Sequence, residues 1–317
     1  MSEINAMSIA ASALPLVSIA IPAYKHAAFI EECLASVCAQ TYPELELVLI
    51  DDESPDDTFV IAQRFLEAHP DRFRRIVLQR RENSGVSANS NACIEACSGE
   101  WVHLLGSDDR LYPEKVARIQ AAIAEWNLPD LAMVHTDTDT IDINGTVRPV
   151  RKPDRHAPPG PDHAAYRWLF QRNLISNPSI ALRRDAFLAI GGFDSSLPLE
   201  DIDCWLRLSS RYAIARVPQV LASYRKHPGN SLRQRQKMLG AFFVTYAKFI
   251  AANPGLIPDG ELKRHFRWYL RRFWSRIQPK ESRHLPMYLG AMLRSYWRSP
   301  KAEDYRRFGE MLLKASS

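Results

Sequence analysis

Two aspartate pairs carry the clearest chemical signal in this 317-residue chain. Asp51 and Asp52 close the apolar run ELELVLI, while Asp108 and Asp109 follow EWVHLLG through Ser107. In open α/β sheets ligands gather at the carboxyl ends of the strands, so two such pairs would crowd four carboxylates onto one rim. That much like charge is costly without donors or a cation, and a divalent ion relieves it. Neither GxGxxG nor GxxxxGK followed by Ser or Thr occurs, so a phosphate-bearing ligand has no glycine loop to sit in. Mg2+ or Mn2+ bridging carboxylate and phosphate oxygens is the economical alternative, and it would also stabilise a departing nucleoside diphosphate. Asp137, Thr138 and Asp139 form a rival DxD, although the IDING segment just after it reads as hairpin polarity.

Positioning these groups requires a sheet. The runs VSIAIP, ELELVLI, RIVLQ, EWVHLL and DLAMVH alternate with helical patterns, which predicts an α/β fold with a Rossmann-like, mostly parallel sheet and helices on both faces. Ile30, Cys33, Leu34 and Val37 repeat at helical spacing within 29–40, and further helices are expected over 87–97 and 113–126. After Val134 the parallel core is expected to end. Asn144-Gly145 marks a tight hairpin, and 148–163, rich in Pro, Asp, His and Arg, reads as a mobile surface loop. The expected organisation is an N-terminal extension (1–15) and a catalytic domain (16–228) with a nucleotide half (16–136) and an acceptor half (137–228). A basic, aromatic-rich helical appendage (229–317) follows.

The net charge of +5 hides an asymmetry, for residues 259–317 hold 14 Lys+Arg against 6 Asp+Glu and the remainder is mildly acidic. Such a body argues against nucleic-acid binding and turns the tail toward an acidic surface. Cys33, Cys38, Cys93, Cys97 and Cys204 lack zinc-site spacing and read as reduced packing residues. The apolar start lacks an early Lys or Arg and runs straight into a strand, and no other run could span a bilayer, so a cytoplasmic protein is expected. In the tail, Leu262, Phe266, Tyr269, Leu270, Phe273 and Ile277 form one stripe. Packing on the domain is its ordinary use; peripheral contact with the anionic inner face of the cytoplasmic membrane is the sharper one.

Six segments in order, VSIAIPAYKHAAFIEECLASVCAQTYP, LIDDESPDDT, ENSGVSANSN, GEWVHLLGSDDRLYPEKV, GGFDSSLPLEDIDCWLRL and YRKHPGNS, give the chain a resemblance to the inverting family 2 glycosyltransferases of the GT-A fold. The resemblance implies transfer of a sugar from a nucleotide diphosphate donor, UDP favoured over dTDP, to an acceptor hydroxyl. Bacterial surface polysaccharide or glycolipid assembly is its expected setting, with a saccharide or lipid-linked saccharide as acceptor.

By the same resemblance Pro22, Ala23 and Tyr24 line the nucleoside pocket, with Asp51 or Asp52 accepting from base or ribose and Asn83 and Gly85 shaping the adjoining loop. Asp109 is the expected principal metal ligand, with Asp108 beside it at ribose or metal-bound water. Arg225 and His227 approach the diphosphate. Asp201 is the expected general base and Glu200 its neighbour, with the reverse left open. Gly106 stands where many relatives carry an aspartate, Glu53 replaces a common glycine, and Ser90 replaces a common arginine. A sugar-nucleotide pyrophosphorylase would need a glycine-rich basic loop that PAYKHAAF lacks, and a binding protein without turnover is the other alternative.

Overall fold

The computed structural model describes residues 14–149, 157–172, 175–197, 199–228, 235–274 and 285–314. Strands β1 (Val17–Ala23) and β2 (Leu45–Asp51) are buried almost throughout, as parallel strands covered on both faces must be. With β3 (Arg75–Arg80) and β4 (Trp101–Leu104) they form the parallel half of one sheet. Helices α1 (Ile30–Cys38), α2 (Thr58–Glu67), α3 (Val86–Ala96) and α4 (Lys115–Trp126) supply the crossovers. Ile30, Cys33, Leu34 and Val37 are all buried, which confirms the helical spacing.

The sheet does not end at Val134. β6 (Leu131–Ile141) runs past the expected boundary at residue 136, and β10 (Ala213–Arg225) pairs parallel to it. β9 (Ile180–Arg183) lies antiparallel between β4 and β6, and β5 (Arg110–Leu111) closes the order β3-β2-β1-β4-β9-β6-β10-β5. Polar residues within β6 and β10 masked this continuity in the sequence. Asp137 meets Arg216 in a two-oxygen ion pair, and Asp139 accepts from Tyr112 Oη at 2.6 Å. Asp137 is therefore committed inside the sheet, while Asp139 engages one oxygen and leaves its buried Oδ1 without a partner.

The hairpin forms as expected. β7 (Val147–Arg148) pairs with the end of β6, Gly145 takes φ +78°, and Asp142 accepts from the amides of Asn144 and Thr146. The expected loop over 148–163 needs correction at its far end; residues 150–156 lie outside the described residues. β8 (Gly160–Asp162) pairs with β10, Ala157 is buried, and Asp162 accepts from the Trp168 indole. The strand pairing, the buried alanine and the indole hydrogen bond outweigh the polar composition there.

Beyond β8 come α5 (Tyr166–Gln171), α6 (Arg184–Ala189), α7 (Glu200–Ser209), then α8 (Arg235–Ala252), α9 (Asp259–Trp274), α10 (Leu285–Trp297) and α11 (Ala302–Lys314). The last four share a core with the catalytic domain: Phe170 and Trp205 belong to the same buried cluster as Phe243, Phe266 and Tyr305. Leu262, Phe266, Tyr269 and Leu270 of the tail stripe are buried in it, so the appendage packs in the ordinary way along that stripe. Ile277 lies outside the described residues. All five cysteines are free, four of them buried, and among the described residues no helix is long and apolar enough to cross a membrane.

Candidate functional site

Backbone pairing brings the strand ends to one rim. Ala23 is opposite Asp51, the Asp52 amide donates to Ala23 O, and the Leu105 amide donates to Ala20 O. Pro22 and Ala23 form the end of β1, and Tyr24 is exposed just beyond it. Lys25 and Glu53, on adjacent loops of this rim, both take left-handed φ near +57° and +59°, a conformation L residues adopt at a cost and mostly at functional sites.

The first aspartate pair divides its work. Asp52 is buried and spends both oxygens on the next loop, accepting from the amides of Ser84 (2.8 Å) and Gly85 (2.9 Å) and from the Ser84 hydroxyl. Asn83 donates its side-chain amide to Asp52 O. Gly85, at φ +86°, turns the chain into α3. Asp51 accepts from the Ser54 amide through Oδ2, with Arg80 Nε 3.6 Å away, while its buried Oδ1 has no partner. A buried acceptor without a donor is uncommon in a folded protein.

The second pair divides as well. Asp109 is buried and accepts from the Arg225 amide at 2.8 Å; burial first, then the neighbouring Asp108 charge, raises its carboxyl well above the usual range. Asp108 instead turns to His227, whose Nε2 lies 3.0 Å from Oδ2, and to His26, whose Nδ1 lies 3.8 Å from Oδ1. Ligand atoms of His26, Asp108 and His227 all lie within 4.8 Å of one another. Imidazole nitrogen and carboxylate oxygen at this spacing suit a divalent ion of the Mn2+ class. Asp109, expected as principal ligand, is outside this cluster. Gly106 adds no donor, and a Cβ there would come within 2.9 Å of both carboxylates.

Arg225, expected at the diphosphate, is held within the protein by several bonds. Its side chain is buried and donates to Asp108 O (2.7 Å), Asp142 O (3.0 Å) and Glu32, lying over the Phe29 ring. It fixes the aspartate loop from beneath. His26 was not singled out in the sequence, although a titratable residue three positions past a strand end was a usable signal. Its Nδ1 is 2.7 Å from Ser107 Oγ, and burial lowers its pKa despite Asp108.

Glu200 and Asp201 open α7, where a helix N-terminus favours negative charge. Burial raises Asp201 to about 6, and burial together with Asp201 raises Glu200 to about 7. Two carboxylates poised near neutrality are suited to proton transfer. Lys248 of α8 bridges Asp194 and Asp203, and Arg207 pairs with Asp203 while donating to Ile190 O and Gly192 O. Asn91 of α3 exchanges two hydrogen bonds with the Phe193 backbone. The loop pinned by Asp52 is thus tied through α3 to the turn that precedes α7.

Residues 18–191 match the profile of Glycosyl transferase family 2. The chain belongs to that family. This glycosyltransferase is 33% identical over 226 residues to the uncharacterized protein MT1568 of Mycobacterium tuberculosis, covering 68% of each. It is also 33% identical over 232 residues to a PGL/p-HBAD biosynthesis glycosyltransferase of Mycobacterium bovis, covering 69% of this chain and 80% of that one. Identity to an Escherichia coli chondroitin synthase is 35% over 204 residues, 62% of this chain but only 27% of the synthase.

Among solved structures, S. aureus TarS 1–349 in complex with UDP-GlcNAc superposes with a TM-score of 0.64 at 19% identity, covering 95% of this chain and 92% of that one. The mannosyltransferase PcManGT from Pyrobaculum calidifontis, in complex with GDP-Man and Mn2+, gives a TM-score of 0.58 at 19% identity, covering 96% and 86%. The glycosyltransferase therefore has the GT-A fold expected from its sequence.

Proposed function

We propose that this enzyme is an inverting, metal-dependent transferase that moves a sugar from a UDP sugar, with dTDP the alternative base, to an acceptor hydroxyl in surface polysaccharide or glycolipid assembly. The observation that carries the reading is the cluster of Asp108 and His227 on the same rim as the unpartnered Asp51 Oδ1. A pyrimidine N3–H would satisfy Asp51, and Pro22, Ala23 and Tyr24 would flank the base. Asp108 and His227 would hold Mn2+ or Mg2+, with Mn2+ favoured by the imidazole donor. When bound, that ion supplies positive charge where the leaving diphosphate becomes more negative.

The chain's own residues do the rest. Asp201, ionised, removes the acceptor hydroxyl proton as that oxygen attacks the anomeric carbon opposite the departing diphosphate, with Glu200 as its neighbour at the acceptor site. Arg225 and Arg207 act by holding the aspartate loop and α7 in place. The reading also includes a cytoplasmic location with peripheral contact to an anionic membrane through the C-terminal helices. A thermal-shift screen of UDP, dTDP, GDP and CDP sugars with and without Mn2+ tests the donor. Donor hydrolysis should require the ion and be lost in both Asp108→Ala and Asp201→Ala; activity retained in either removes its assigned role.

A further inference from the structure

Leu262, Phe266, Tyr269 and Leu270 of the tail stripe pack into the core, yet a different apolar row is left outside. On α10, Leu289, Leu293 and Trp297 recur every fourth residue and are 48%, 61% and 87% exposed. Leu293 and Trp297 are the two most exposed large apolar side chains among the described residues. Residues at this spacing form one ridge about 12 Å long. The opposite side of α10 is fixed to the protein: Tyr288, Ala291 and Ser295 are buried, and Arg267 of α9 donates to Ser295 O and Oγ.

The surroundings of the ridge are cationic. Arg294 on α10 and Arg298 just past its end are exposed, and Arg264 and Arg271 are exposed on the neighbouring α9. The exposed Trp268 of α9 carries Arg272 against its ring, 5.0 Å from guanidinium to centroid. Arg298 is paired with Asp304. The segment as a whole carries a large excess of Lys and Arg. Apolar side chains with a tryptophan at the end, set among arginines, match the layered chemistry of a membrane surface, where hydrocarbon lies beneath a sheet of phosphates.

We propose that the Leu289–Leu293–Trp297 ridge is the face by which this enzyme lies on an anionic lipid bilayer. The inference rests on the peripheral-membrane reading above and names its surface. The ridge enters the headgroup layer while the flanking arginines meet lipid phosphates. Attachment is reversible and salt-sensitive, because three side chains bury little hydrocarbon and the rest of the attraction is screened.

The test uses the full chain, since truncation would remove Phe266 and Tyr305 from the shared core. Sucrose-loaded vesicles of phosphatidylcholine with 30% phosphatidylglycerol are pelleted with wild type, the double variant Leu293→Ser/Trp297→Ser, and Val60→Ser. Val60 is 40% exposed on α2 and serves as an apolar-to-polar control away from the ridge. Wild type and Val60→Ser should partition onto these vesicles at least 10-fold more strongly than the double variant and more weakly onto phosphatidylcholine alone. All three proteins should melt together.

If wild type pellets and the double variant pellets equally, the ridge is not the docking face, though peripheral attachment stands. If wild type stays in the supernatant, both are wrong. A wild-type dimer that the double variant makes monomeric, without vesicle binding, would assign the ridge to a second copy of the chain and overturn the proposal.

Discussion

Lys248 on α8 lies 2.9 Å from Asp203 Oδ1 on α7, in a helix whose first two residues are Glu200 and Asp201. The contact joins the C-terminal helices to the proposed base. Asp203 keeps Arg207 if Lys248 is lost, while Asp194 keeps only Ser196. Lys248→Met should therefore cost about 1–2 kcal/mol of stability, toward the low end because the lysine is partly solvated. Turnover should fall while affinity for the nucleotide is unchanged, measured as kcat against donor Kd. Equal loss in both would place the effect on the whole fold.

Glu200 and Asp201 make the pH dependence specific. Burial holds Asp201 near 6 instead of 3.8 and, with Asp201, holds Glu200 near 7 instead of 4.5. Transfer should rise with pH through an apparent pKa of about 6–7 belonging to the pair. Stability should run the other way. A raised folded-state pKa contributes stability below pH about 4 that is lost as pH rises through about 6. Asp201→Asn should thus be inactive yet more stable than wild type above pH 7, by up to about 3 kcal/mol, with no gain near pH 4. Parallel melting curves at the two pH values decide it.

The two acids of the second pair should separate cleanly. Asp108→Asn removes the charge facing His26 and His227 and should weaken Mn2+ binding at least 10-fold, read by titration of the free-ion paramagnetic signal. Asp109→Asn retains an oxygen for the Arg225 amide, so it should keep Mn2+ affinity within a factor of about three. Reversed outcomes would return the metal to Asp109.

The first pair should separate too. Asp52→Ala strands the Ser84 and Gly85 amides and should cost about 1–3 kcal/mol, seen in chemical denaturation. Asp51→Ala strands the Ser54 amide alone and should cost less, about 1 kcal/mol, since its other oxygen has no partner to lose. It should raise the Kd for UDP about 10-fold in calorimetry.

These divisions were beyond the reach of the sequence. Strands β1, β2 and β4 were legible because strands buried on both faces read as apolar runs, half-buried β3 because Ile76, Val77 and Leu78 make a short one, and the rim followed from their order. Which member of Asp51–Asp52 or Asp108–Asp109 faces the cleft depends on hydrogen bonds to Gly85, more than 30 residues on, and to Arg225, more than 110 residues on. No local pattern encodes those partners. The partners of Arg225 were hidden for the same reason: Glu32 and Asp142, which accept from its guanidinium, lie more than 80 residues away. β10 was hidden because Arg216 breaks its apolar pattern, and only Asp137 on β6 makes that arginine affordable inside a sheet.

The place of β9 bears on how the molecule is made. Ile180–Arg183 sits between β4 and β6, so the middle of the sheet has a gap until a segment some forty residues further along arrives. A chain emerging from the ribosome can assemble β1 to β4 with their helices, but β6 has no direct neighbour on that side before β9 is synthesised. The parallel β1–β4 part can therefore form early, while the junction to β6 closes only after residue 183 has been made.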